Sequence, residues 1–71
     1  MSNFALDVVE VNAGRTILFG GVYAANDGYY AEIHEQKEGR IRRLEKSSTL
    51  PNRDVAVVWM NQTLARQSAA A

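Results

Sequence analysis

One histidine, a Ser-Ser-Thr run and eight carboxylates are the residues of this 71-residue chain whose types could support chemistry. His34 sits between Ile33 and Glu35 in an alternating segment and shares its face with Glu32 and Gln36. A Glu-x-His pair can supply part of a metal site. Zinc takes three or four ligands, however, and the sequence has no second histidine and no cysteine to complete the set. A nucleophilic hydroxyl needs a base and a group that orients the base. Ser47, Ser48 and Thr49 have no histidine near them in sequence. A carboxylate pair across strands, Asp7 or Glu10 with Glu32, is geometrically allowed. A domain this small rarely encloses a pocket of several hundred cubic ångströms around such a pair. Gly20–Gly21 lacks the Lys/Ser/Thr and the helix that follow a phosphate-binding loop. The expectation is a protein that is not an enzyme and uses no cofactor and no metal.

Binding is the chemistry that remains. The formal net charge is zero, yet it is unevenly spread. Asp7, Glu10, Asp27, Glu32 and Glu35 against Arg15 alone leave residues 1–36 at −4. Lys37, Arg40, Arg42, Arg43 and Lys46 against Glu38 and Glu45 put residues 37–46 at +3. A zero net charge argues against bulk affinity for nucleic acid and leaves a local basic patch open. In the segment "KEGRIRR", Arg40 and Arg42 share a face and Arg43 does not. Such a strand can track phosphates beside an aromatic that stacks a base. A strand of alternating charge is also the common way to keep a sheet edge from aggregating. Tyr29 and Tyr30 fall on opposite strand faces, so only one can be presented beside arginines.

The elements that position these residues are short. The length allows one domain, near the lower limit for a single core without staples. The absence of cysteine removes disulfides and thiolate sites and fits a reducing compartment. Apolar residues at 46% and charged residues at 23% are globular values, not disordered ones. No apolar run approaches the ~18 residues of a membrane span. The N-terminal "MSNFALDVVEV" has no basic start and carries Asp7, unlike a secretory signal. A cytoplasmic location is expected.

Residues 4–11, "FALDVVEV", read as a first strand. Phe4, Leu6 and Val8 share one parity and Val9 and Val11 the other, which predicts a bulge near Val8–Val9 or burial of both faces. "NAGR" supplies a turn. Residues 16–25, "TILFGGVYAA", form a central strand with two apolar faces. The Gly20–Gly21 pair is costly inside a strand and predicts a bend or close approach, with an aromatic ring or a helix resting on the glycines. Asn26-Asp27-Gly28 is a hairpin turn. Residues 29–37, "YYAEIHEQK", alternate cleanly, with Tyr29, Ala31 and Ile33 on one face and Tyr30, Glu32, His34 and Gln36 on the other. After Glu38-Gly39, "RIRRLEKS" is a fourth strand. Ile33, Lys37, Ile41 and Leu44 also fit helical spacing, against which Gly39 counts about 1 kcal/mol.

"LPNRD" starts a helix, with Asn52 as cap and Asp54 in the first turn. It should run to about Gln67, with the last alanines frayed. The β-branched run in "DVAVVWM" leaves a fifth strand as the competing reading. On a helical wheel Val55, Val58, Trp59 and Ala65 fall in one sector and Val57, Met60 and Leu64 in another. The predicted fold is α+β: one domain with a four-stranded antiparallel sheet and a C-terminal helix on one face. The alternative is a small five-stranded β-barrel.

The hairpin "LFGGVYAANDGYYAEI" followed by the terminal "LPNRDVAVVWMNQTLARQ" resembles the small phage-encoded anti-defence proteins, the anti-CRISPR group in particular. The resemblance spans the whole chain as size and order of elements. That group shares no motif, so no functional residue carries over. It implies a protein partner, a Cas protein or effector complex, and a block of target-DNA recognition or nuclease recruitment in a host cytoplasm.

Three functional readings follow. The first is an inhibitor that occupies a surface on a larger complex through the tyrosine hairpin. Tyr30, Asp27, Glu32 and Glu35 are its contacts, with Tyr23 and Tyr29 packed and Tyr30 presented; the arginine strand is the other choice of surface. The second is a small nucleic-acid-binding protein using Lys37, Arg40, Arg42, Arg43 and Tyr30. The third is a homo-oligomer joined through a sheet edge or the apolar helix.

Overall fold

Three two-residue turns fold residues 7–46 into an antiparallel meander. The structure, a computed structural model, describes residues 4–70. Strands β1 (Asp7–Ala13), β2 (Thr16–Ala25), β3 (Gly28–Lys37) and β4 (Arg40–Lys46) lie side by side in sequence order. Helix α1 (Arg53–Ala70) follows. The expected α+β fold is present, and residues 53–70 are helix, not a fifth strand. The helix runs three residues past the expected end; Ala71, the last of the alanines expected to fray, lies outside the described residues.

The turn between β3 and β4 has positive φ at both central residues, 53° at Glu38 and 76° at Gly39. That twist matches the twist of the flanking strands. Glycine takes it freely, whereas Glu38 is the one described non-glycine residue in the left-handed region. Its register places Lys37 opposite Arg40, Glu35 opposite Arg42 and His34 opposite Arg43.

The predicted bulge near Val8–Val9 does not occur. β1 pairs with β2 without a break from Asp7 opposite Val22 to Ala13 opposite Thr16. The mixed parity of the apolar residues has another cause. Val9 and Val11 pack towards the helix, while Phe4 and Val8 are left in solvent at 82% and 65% exposure. The irregularity lies instead in β4, where the register shifts opposite Ile33/His34 and Leu44 is the extra residue.

The core lies between the helix and one face of the sheet. Leu18 and Val22 from β2, Ala31 and Ile33 from β3, and Ala56, Met60 and Leu64 from the helix are buried together. Gly20 makes this packing fit. A Cβ there would lie 2.6 Å from Met60 Cγ and 2.8 Å from Leu64 Cδ1. The helix therefore sits directly on the strand at Gly20, and Met60 occupies the space a side chain would fill. The buried helix stripe, Ala56, Met60, Thr63 and Leu64, leaves Val55 and Val58 exposed.

The helix is tied at both ends. The Asn52 Oδ1 accepts the Val55 N–H at 2.9 Å, as predicted for the cap. Arg53 donates to both Asp7 carboxylate oxygens, at 2.7 and 3.2 Å. Towards the other end Arg66 and Gln67 both donate to Glu45. The connecting segment is pinned where Leu50 and Tyr29 exchange backbone hydrogen bonds. Ser47 Oγ accepts the Ala31 N–H at 2.9 Å.

Candidate functional site, the open face of the sheet

Only one face of the sheet lies beneath the helix. The molecule is two layers deep, with Cα extents of 36 × 26 × 16 Å. Side-chain alternation assigns the other face. β2 contributes Ile17, Phe19, Gly21 and Tyr23 to it, and β3 contributes Tyr30, Glu32, His34 and Gln36. Register makes rows across this face, Val8–Gly21–Glu32–Lys46 and Glu10–Phe19–His34–Arg43.

Tyr23 and Tyr30 are directly opposite across β2 and β3. Their rings stack at 5.2 Å between centroids and 20° between planes. Tyr23 and Tyr29, both expected to pack, pack on opposite faces. Tyr29 is on the helix face, whereas Tyr23 is on the open face with Tyr30, because residues paired across two strands share a face. The Tyr23 ring folds back over Gly21, where a Cβ would stand 2.8 Å from its hydroxyl. The two glycines thus serve opposite faces, a helix on Gly20 and an aromatic ring on Gly21. Partial burial, followed by the nearby Glu32 charge, pushes the Tyr23 hydroxyl above its ordinary pKa.

Lys46 Nζ lies 4.8 Å from the centroid of the Tyr30 ring. At an exposed site such a cation–π contact contributes about 0.5–1 kcal/mol. The lysine, the two rings and Glu32 form one cluster. Lys46 is missing from the residues read as a site in the sequence, and so is Tyr23 as a partner of Tyr30. The Tyr23–Tyr30 signal was available, since a two-residue turn at Asn26–Asp27 fixes that pairing. The Lys46 position depends on the bulge at Leu44, which carries no sequence signature.

The acidic and basic surfaces expected to be separate are one interleaved surface. Arg43 bonds Glu32 at 3.0 Å and Arg42 bonds Glu35 at 2.7 Å. The four acidic-surface candidates do not converge. Tyr30 and Glu32 share the open face. Asp27 sits at the tip of the β2–β3 turn, and Glu35 points to the helix side eight residues along, about 26 Å of strand away. Of the basic candidates, only Arg43 is on the open face. Lys37, Arg40 and Arg42 lie on the other side of the strands. They line, with Glu35, Glu38 and Ile41, a shallow cleft of about 460 Å³. A neighbouring cleft of about 610 Å³ is lined by Lys37, Arg15 and the backs of two turns. Neither is lined by a histidine.

Among the described residues there is no group of three or more His, Cys, Asp or Glu side chains placed to hold a metal ion. No described helix is long and apolar enough to cross a membrane. No family model, curated protein or solved structure matches the chain. The face must be read from its own geometry: the Tyr23–Tyr30 stack and Phe19 beside Glu32, His34 and Gln36, with Glu10 at one edge and Arg43 and Lys46 at the other.

Proposed function

We propose that this chain is a non-enzymatic binding module that docks through the open face of its sheet onto a larger protein complex and inhibits it. The observation that carries this reading is the Tyr23–Tyr30 stack with Lys46, on a face that no described element covers. Tyrosines pre-stacked on strands lose little conformational freedom on binding, and aromatic residues are the usual anchors of protein interfaces. Arg42 and Arg43 are already engaged by carboxylates, so recognition rests on apolar and aromatic contact more than on net charge. In the form suggested by the order of elements, the partner is a Cas protein or effector complex and the blocked step is target-DNA recognition or nuclease recruitment.

A second reading has one observation in its favour. A cation against an aromatic ring on an open sheet is also how bases are stacked and phosphates met. The test is a tagged pull-down from bacterial lysate, with and without nuclease, using the wild type, Tyr30→Ala and Val58→Lys. Val58 is on the exposed side of the helix, away from the face. Docking predicts a stoichiometric protein that survives nuclease, is lost with Tyr30→Ala and is kept with Val58→Lys. Partners that vanish with nuclease, and affinity that falls steeply with salt, would replace it by the nucleic-acid reading.

A further inference from the structure

The open face is also complementary to itself. Glu10 stands on β1, Arg43 and Lys46 stand on β4 at the other side of the sheet, and Glu32 stands between them on β3, bonded to Arg43 of its own copy. The middle of the face carries Ile17, Phe19, Gly21 and Tyr23 from β2 beside Tyr30, Glu32, His34 and Gln36 from β3. A twofold axis parallel to the strands, placed above this face, lays β1 of one copy over β4 of the other. Glu10 then comes over Arg43 of the second copy in the same row, where the guanidinium keeps donors beyond its one bond to Glu32, with Lys46 within reach under the about 30° rotation of packed sheets. The reciprocal contact forms at the other edge by symmetry.

The size fits. A compact monomer of 7.9 kDa exposes about 4400 Å², and this chain exposes 4919 Å². Four strands of seven or more residues span about 19 by 23 Å or more, a projected area on the order of 500 Å² before side-chain relief. That approaches the footprint of a standard interface, about 800 Å² per partner. Aromatic residues such as Tyr23, Tyr30 and Phe19 are enriched in the middle of such interfaces.

We infer that, free of any other partner, this chain is a twofold dimer joined face to face through the open side of its sheet, with Glu10 of each copy against Arg43 and Lys46 of the other. The inference rests on the reading of this face as an interface and names its occupant in the free protein. A docking partner would displace the second copy.

The test is the mass in solution, by sedimentation equilibrium, of the wild type, Glu10→Lys, Arg43→Glu and the equimolar mixture of the two variants. The wild type is expected at twice 7.9 kDa. Each variant alone places like charges together at both edges and should be monomeric, and the mixture restores both contacts and should recover the dimer. A measurement on unaltered protein stands beside it. Zero-length carbodiimide coupling should join Glu10 to Lys46, which are three strand spacings apart within one copy, about 14 Å, and so can couple only between copies. A wild type that stays monomeric at about 100 µM, weaker than the micromolar end of standard interfaces, overturns the inference. So does a dimer that survives both variants and lacks the Glu10–Lys46 link, which would place the contact at the β1 edge or the helix. A monomeric wild type whose protein partner is still lost with Tyr30→Ala would leave the docking function standing. A face-to-face dimer whose partner ignores Tyr30→Ala would overturn the docking function alone.

Discussion

Gly20→Ala tests the contact on which the fold rests. The φ angle at Gly20 is outside the left-handed region, so alanine can adopt the backbone and the cost comes from space alone. The added carbon would stand 2.6 Å from Met60 Cγ and 2.8 Å from Leu64 Cδ1. Both side chains are buried, at 1% and 3% exposure, and have no room to retreat. Overpacking of this kind costs about 1–3 kcal/mol. Replacing glycine returns about 0.4–1 kcal/mol by restricting the unfolded chain. The net is a loss between about 0 and 2.6 kcal/mol; its middle value of about 1.3 kcal/mol, in a domain this size, lowers the midpoint of thermal unfolding by about 5–10 °C. Circular dichroism against temperature and urea reads it. In a Met60→Ala background the clash is relieved, so the same substitution should cost much less, and the double-mutant cycle should show the coupling. Gly21→Ala is the control. Its Cβ meets the end of the Tyr23 side chain on the open face, outside the packed core, so the ring can shift and the loss should be about 0–1 kcal/mol. A Gly20→Ala variant that melts at or above the wild-type temperature would refute the placement of the helix on Gly20.

Three further outcomes are expected. Asn52→Ala removes the acceptor of the Val55 N–H and should cost about 1 kcal/mol, read from the urea midpoint. Glu38→Asn keeps the turn but suits its positive φ better, and should stabilise by about 0.5–1 kcal/mol in the same assay. Hydrogen bonds from Arg53 hold the Asp7 carboxyl below its ordinary pKa, and hydrogen bonds from Gln67 and then Arg66 do the same for Glu45. Between the folded and the ordinary pKa the unfolded chain binds more protons, so this stability is complete above about pH 5 and is lost as pH falls below about 4. Removing Arg53 and Gln67 together should flatten the acid limb of urea midpoint against pH.

Much of the fold was legible because local chemistry fixes it. The alternation of "YYAEIHEQK" and the two-residue turns at Asn26–Asp27 and Glu38–Gly39 set β2, β3 and β4 to within a residue. The first strand was placed less well. Phe4 and Leu6 are apolar enough to read as strand, but Phe4 lies in solvent, and the ladder starts at Asp7 with only the Leu6 N–H bonded to Val22 ahead of it. The candidate site was half legible. Tyr30 and Glu32 share a face by parity alone, whereas grouping them with Asp27 and Glu35 joined residues that are near in sequence and point apart.

The sequence by itself determined that there are two sheet faces, which residues share each, where the chain turns and where the helix is capped, since strand parity, turn dihedrals and caps depend on neighbours in the chain. Only the tertiary structure decided which face the helix covers and how the helix is rotated. Val55, Val58 and Trp59 are as apolar as Val57, Met60 and Leu64, so polarity could not choose between the two stripes. The choice is made by shape, where Gly20 leaves room for Met60. The charges were decided in the same way. Lys46 stands opposite Glu32 and over the Tyr30 ring only because Leu44 bulges out of register. Such contacts depend on the fit between elements distant in sequence, and that fit exists only once they are packed.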